Sequence, residues 1–144
     1  MDMSEYKSIL VPVDGSETSI SAFKQGVHIA ERNKADLYLV AILDKMDNAE
    51  EAAQLQKDKD SLFDELDRYA RAHGVAVHKD MRTGDPKELI SKDLLEEWNI
   101  DLIVMGATGK GAIAKLVVGS VTNHVIRNAP CDLLIVRKSQ QTDF

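Results

Sequence analysis

Short runs that are apolar on consecutive residues alternate with longer amphipathic stretches along this chain, and that alternation narrows its fold more than any other feature. Lys7–Asp14 (KSILVPVD) carries Ile9, Leu10, Val11 and Val13 and ends at Asp14-Gly15. Asp36–Leu43 (DLYLVAIL) contains the longest unbroken apolar run, Leu37–Leu43. Ile100–Met105 (IDLIVM) and Asp132–Val136 (DLLIV) repeat the pattern. Strands apolar on both faces need helices above and below, which is the condition of a parallel sheet. Val75–Met81 alternates apolar and polar residues instead, which predicts a half-exposed strand near a sheet edge.

The segments between these runs read as helices. Ser16 is placed to cap the first, with Ile20, Phe23, Val27 and Ala30 on one face and an end at Asn33-Lys34. A second runs from about Glu51 to His73, with Leu55, Leu62, Leu66 and Tyr69 inward, its charges on a solvated face, and Gly74 as its stop. Asp85-Pro86-Lys87-Glu88 starts a third: Asp as cap, Pro in the first turn, Glu88 reaching back. Ile90, Leu94 and Trp98 follow at helical spacing, with Trp98 a core plug. Ala107–Gly119 is glycine-rich, with one short helical turn at Ile113–Val117. Ser120–Asn128 is the last helix, with Val121, Val125 and Ile126 inward. This order predicts an α/β fold: an open five-stranded parallel sheet, order 3-2-1-4-5, with helices on both faces.

At 144 residues the chain is expected to form a single domain, residues 1–144. The longest apolar run falls well short of the ~20 residues that span a bilayer, so no membrane partner is expected. Met1–Lys7 has no apolar core of a signal peptide, and the lone Cys131 fits a reducing cytoplasm, as a small buried hydrophobe. Eighteen basic against 24 acidic residues, net −6, argue against nucleic acid as a partner. A phosphate held by backbone N–H groups is compatible with that balance. His28, His73, His78 and His124 show no metal-ligand spacing and read as surface or helix-end residues. No Ser-His-Asp or Cys-His arrangement can be assembled.

In an open α/β sheet a ligand sits beyond the carboxyl ends of the strands where the strand order reverses. Here that crevice lies between the first and fourth strands, where Pro12–Ser16 meets Met105–Gly111. The glycines let backbone approach a ligand closely. The last helix opens at Gly119-Ser120-Val121-Thr122. Its free N–H groups and dipole favour an anion, with the Ser120 and Thr122 hydroxyls as further donors and Lys110 or Lys115 assisting. Gly106 to Gly111 has Walker A spacing, but Ala112 stands where the lysine must be. Gly109-Lys110-Gly111-Ala112-Ile113-Ala114 matches a dinucleotide fingerprint, yet follows the fourth strand and lacks the acidic ribose ligand. A response-regulator phosphoacceptor needs a carboxylate ending the third strand, where Met81-Arg82 stand.

The whole pattern Gly106-x2-Gly109-x9-Gly119-Ser120, with Pro12–Ser16, Gly84-Asp85-Pro86, Asp101–Gly106 and Ala129-Pro130-Cys131, resembles the universal stress protein family, in its ATP-binding branch. The resemblance implies a Rossmann-like adenine nucleotide-binding fold and a cytoplasmic stress-response binding or signalling module. It implies that Gly106, Gly109, Gly119 and Ser120 hold phosphates and ribose, with Val121 and Thr122 continuing the contact and Thr108 in the phosphate loop. The resemblance further implies that Asp14 lies near the ribose and phosphates, with a divalent cation such as Mg²⁺ as the bridge, that Pro12 and Val13 line the pocket, that Ile42 meets adenine through its main chain and that Met105 packs on the nucleoside. The cofactor it implies is ATP or another adenine nucleotide. The cradle shows neither a general base nor an arginine finger, Arg127 lying near the far end of its helix, so the alternative is at most a slow Mg²⁺-dependent nucleotide hydrolase. Strand Leu133–Val136 at the sheet edge predicts a homodimer, as the family commonly forms.

Overall fold

A computed structural model describes residues 5–43, 47–107 and 119–137. Five strands, β1 (Ser8–Pro12), β2 (Asp36–Leu43), β3 (Val77–Thr83), β4 (Leu102–Gly106) and β5 (Asp132–Val136), form one sheet in the order β3-β2-β1-β4-β5. Every neighbouring pair is parallel. Helices α1 (Glu17–Asn33) and α2 (Ala49–Ala72) follow β1 and β2. After β3, α3 (Pro86–Glu88), a π-helical turn (Leu89–Asp93) and α4 (Leu94–Trp98) run on as one helical stretch. Helix α5 (Ser120–Asn128) precedes β5. The fold class and strand order are those that the alternation predicts.

The strands divide their residues between two cores with a period of two. Ile9 and Val11, Leu37 and Leu39, and Leu102 and Val104 pack on the α1–α2 face with Phe23, Val27, Phe63 and Leu66. Leu10, Val40, Ile103 and Met105 pack on the other face with Ile90, Leu94 and Val125. Helix α1 approaches β1 closely because Gly26 has no side chain: a Cβ there would fall 2.8 Å from Val11 Cγ2. Asp101 fastens the start of β1 to β4, its two oxygens accepting from Lys7 N–H (2.9 Å) and Ser8 N–H (3.1 Å). The Tyr6 hydroxyl donates to Asp132 at 2.7 Å, which raises the tyrosine pKa.

Local differences from expectation have local causes. Strand β3 begins at Val77 instead of Val75, because Val75 N–H donates to Ala70 O and still belongs to the end of α2. Helix α2 begins at Ala49, capped by Asn48, whose Oδ1 accepts from Glu50 and Glu51 N–H. Asp67 is not on the solvated face: it is buried on α2 and paired with Arg71 and Lys79. Strand β4 starts at Leu102: Ile100 N–H closes the turn after α4 by donating to Leu95 O, while Asp101 N–H donates to Ser8 O on β1. Ile126 is 48% exposed instead of inward, because α5 docks through Thr122 and Val125, leaving Ile126 beside the exposed Arg127. Cys131 is half-buried, packed on the second core, and burial pushes its thiol pKa up. Trp98 packs against the same core, stacked on Tyr38 with centroids 5.0 Å apart and the Arg82 guanidinium over its ring. No helix among the described residues is long and apolar enough to cross a membrane.

Candidate functional site

The site is set by how β1 and β4 part. Their register pairs Ile9 with Leu102 and Leu10 with Ile103. Beyond those pairs β1 turns toward β2, where Val13 N–H donates to Val40 O, and β4 runs toward β5, where Ala107 N–H donates to Val136 O. The strands' carboxyl ends thus bound a cleft of about 400 Å³. This is the switch point at which open α/β sheets hold ligands.

One wall is the turn after β1. Gly15 takes φ 92°, a conformation that favours glycine. Asp14 Oδ1 accepts from Ser16 N–H at 2.9 Å, and the Ser16 hydroxyl caps α1 by accepting from Ser19 N–H. Asp14 therefore shapes the turn while lining the cleft. Lys59, reaching from α2, donates to Asp14 O at 3.1 Å.

The opposite wall is the start of α5. Gly119 N–H donates to Ala107 O, which brings the incoming chain back to the end of β4. Gly119 is the cap residue and offers no side chain to the first turn of α5. Gly119, Ser120, Val121 and Thr122 line the cleft, so the first turn of α5, with the positive end of its dipole, borders it. Thr122 does not add a hydroxyl to that turn's N–H groups: it is buried, and its Oγ1 donates to Gly106 O at 2.9 Å. Gly106 also serves a different end from close ligand approach. A Cβ there would fall 2.6 Å from Thr18 Oγ1, so the glycine admits α1 against β4.

Pro12, Val13, Asp14, Ile42, Met105, Gly106, Gly119, Ser120, Val121 and Thr122 all line this cleft. Thr108 and Gly109 lie outside the described residues, as do Lys110, Lys115 and the expected turn at 113–117. Ser16, in the turn that the sequence places at the crevice, lines the cleft too, whereas sequence reasoning missed Ser19, Pro86 and Ile90 as lining residues. Pro86 and Ile90 were legible as helix start and core, but their position over the cleft follows from how that helix crosses the sheet. Lys59 was read as part of a solvated face and gave no signal of its reach to Asp14.

A parallel five-stranded sheet with a helix start and a cleft at its switch point defines a Rossmann-like α/β fold. Within that class the chain belongs to the universal stress protein family, whose sequence model matches residues 5–137. A putative universal stress protein of Staphylococcus aureus (strain USA300) is 37% identical over 146 residues, covering 96% of this chain and 88% of that one. The solved structure of universal stress protein UspA from Lactobacillus plantarum is similar with TM-score 0.80 and 28% identity, covering 93% of this chain and 99% of its own. A universal stress protein solved in complex with cAMP is similar with TM-score 0.75 and 27% identity, covering 94% and 100%.

Proposed function

We propose that this chain binds ATP, or another adenine nucleotide, in the β1/β4 cleft and acts in the cytoplasm as a nucleotide-responsive stress-response module, residues 1–144 forming one domain. The observation that carries the reading is the start of α5, whose cap residue Gly119 has no side chain to bond its first turn, facing Pro12–Asp14 and Ile42 across a cleft of about 400 Å³. A helix start of this kind favours phosphate oxygens. The similar protein solved with cAMP supports an adenine nucleotide as the ligand. In this reading Gly106, Thr108, Gly109, Gly119 and Ser120 hold the phosphates with Val121 and Thr122 through their main chain. Met105 packs on the nucleoside, and Ile42 meets the adenine. Asp14 fits Mg²⁺, which is usually held by one or two carboxylates together with phosphates and water.

Nucleotide released by denaturing freshly purified protein, identified by mass spectrometry, tests the ligand. Labelled ATP binding, lost in Gly109→Val, tests the cradle, and no binding at millimolar ATP (about the upper range of ordinary cofactor sites) refutes it. The rival reading is slow Mg²⁺-dependent hydrolysis, favoured by Asp14 on the cleft wall. Conversion of Mg-ATP to ADP or AMP that disappears in Asp14→Ala would select it. We also propose a homodimer through β5, an edge strand of the sheet.

A further inference from the structure

Helices α1 and α2 bring three metal-ligating side chains together well away from the cleft. His28 and Glu31 stand three residues apart on α1 and so share a face. His73, immediately after α2, packs against them. His28 Nδ1 lies 3.9 Å and His73 Nδ1 3.7 Å from Glu31 Oε1. One ligand atom from each of the three falls within 4.8 Å of the other two. The imidazoles meet edge to face, centroids 4.9 Å apart.

A fourth residue orients the set. His28 Nε2 lies 3.0 Å from the Tyr69 hydroxyl. When Nε2–H donates to that oxygen, the lone pair is on Nδ1, the atom nearer Glu31. Ligating histidines characteristically give their second ring N–H to such an outer partner, which fixes tautomer and ring direction. The histidines are partly exposed or at a helix end, where the sequence places them; what spacing along the chain does not show is the grouping in space, with His73 brought in from the end of α2.

We propose that His28, Glu31 and His73 bind a divalent first-row transition cation, with zinc as the representative. Two imidazole nitrogens and one carboxylate oxygen suit zinc, and set the site apart from the all-oxygen sites of calcium and magnesium. Neighbouring ligand atoms in a tetrahedral zinc sphere stand about 3.3 Å apart. The separations to Glu31 thus need to close by roughly half an ångström, and the two imidazoles, within 4.8 Å of each other, by up to about 1.5 Å, which requires the exposed side chains to rotate. The three side chains are 42%, 49% and 32% exposed, so a cation enters without opening the fold and water completes the sphere. Bound there, the cation cross-links α1 to the end of α2. Helix α1 begins at the cleft, and His28 lies about 16 Å along it at 1.5 Å per residue, so the two sites are separately testable.

The test uses the full chain stripped of metal and titrated with Zn²⁺ against a chromophoric chelator, with Co²⁺ as a spectroscopic probe. One zinc per chain is expected, with a tetrahedral cobalt spectrum. His28→Ala and His73→Ala each weaken zinc at least tenfold and abolish that spectrum. Tyr69→Phe keeps all three ligands and weakens zinc by about tenfold through lost orientation. His78→Ala, a change at an exposed histidine on β3, and Ser120→Asp in the cleft leave zinc affinity unchanged. Equal affinity in the wild type and the His28→Ala/His73→Ala double variant overturns the proposal, as does the absence of binding. Circular dichroism on each variant confirms that the comparison is made between folded chains.

Discussion

Gly106 and its neighbours show what a single atom decides here. A methyl at Gly106 would meet Thr18 at Oγ1 (2.6 Å), Cβ (2.9 Å) and the backbone carbon (3.0 Å), and backbone cannot swing away as a side-chain tip can. Gly106→Ala should therefore destabilise the fold by about 1–3 kcal/mol, read by urea unfolding, with Thr18→Ala recovering only part. The hydroxyl of Thr122 is committed to Gly106 O. Thr122→Val keeps the shape but removes that donor, and should cost about 1 kcal/mol. Ser120 is the converse case, being exposed at the first position of α5. Ser120→Asp puts a negative charge where a helix start favours it, so the melting temperature should hold or rise slightly. The same charge repels phosphate, so ATP affinity should fall at least tenfold. Affinity retained in Ser120→Asp would remove the anion-binding role from this end of α5. The glycine pattern made these positions legible in the sequence. The reason for Gly106 was not, because it depends on Thr18, far away in the chain.

Among the elements, α2 carries the clearest dependence on acid. Asp67 is buried and held by Arg71 on its own helix and by Lys79 on β3, 3.5 Å away. The hydrogen bond from Arg71 keeps its carboxyl below the usual range. A lowered folded-state pKa gives stability that is present above the unfolded value and lost as pH falls through the folded one. The wild type should therefore lose part of its urea resistance below about pH 4. Asp67→Asn should be less stable at neutral pH, by about 1–2 kcal/mol, and should show a shallower acid loss. Helix ends were the most legible part of this layer: Ser16 and Asp85 cap where their chemistry places them, and α5 spans Ser120–Asn128 between Gly119 and Ala129-Pro130 as its flanking residues suggest. The π-helical turn at Leu89–Asp93 was not legible, since one extra residue per turn leaves the i, i+4 spacing of Ile90 and Leu94 intact. The His28–Glu31–His73 cluster was hidden for another reason: spacing within one helix says nothing about which helix packs beside it.

For the whole molecule, β5 stands at the edge of the sheet among the described residues, the position at which a strand of another chain can pair. Leu134 on that strand is 38% exposed, and Ile126 on the preceding helix 48%. A two-fold pairing of β5 with a second copy would cover the strand. Light scattering should give twice the chain mass, and Leu134→Lys should shift the population to monomer while the circular dichroism spectrum stays the same. A monomeric wild type at working concentration contradicts the pairing.

The central place of β1 also governs the order in which the chain can assemble as it leaves the ribosome. Its partner β2 is made soon after it, and one flank can close early through pairs such as Leu10 with Tyr38. The other flank waits for Leu102 and Ile103, and the core that holds Leu10 and Val40 is completed only by Ile90 to Val125, all made later. Contacts this distant in sequence are slow to form, and an open strand edge in the meantime invites wrong pairing. Asp101, arriving just ahead of β4, accepts from Lys7 and Ser8 and so latches the late strand to the start of the early one. The first strand to be made is enclosed only once most of the chain exists.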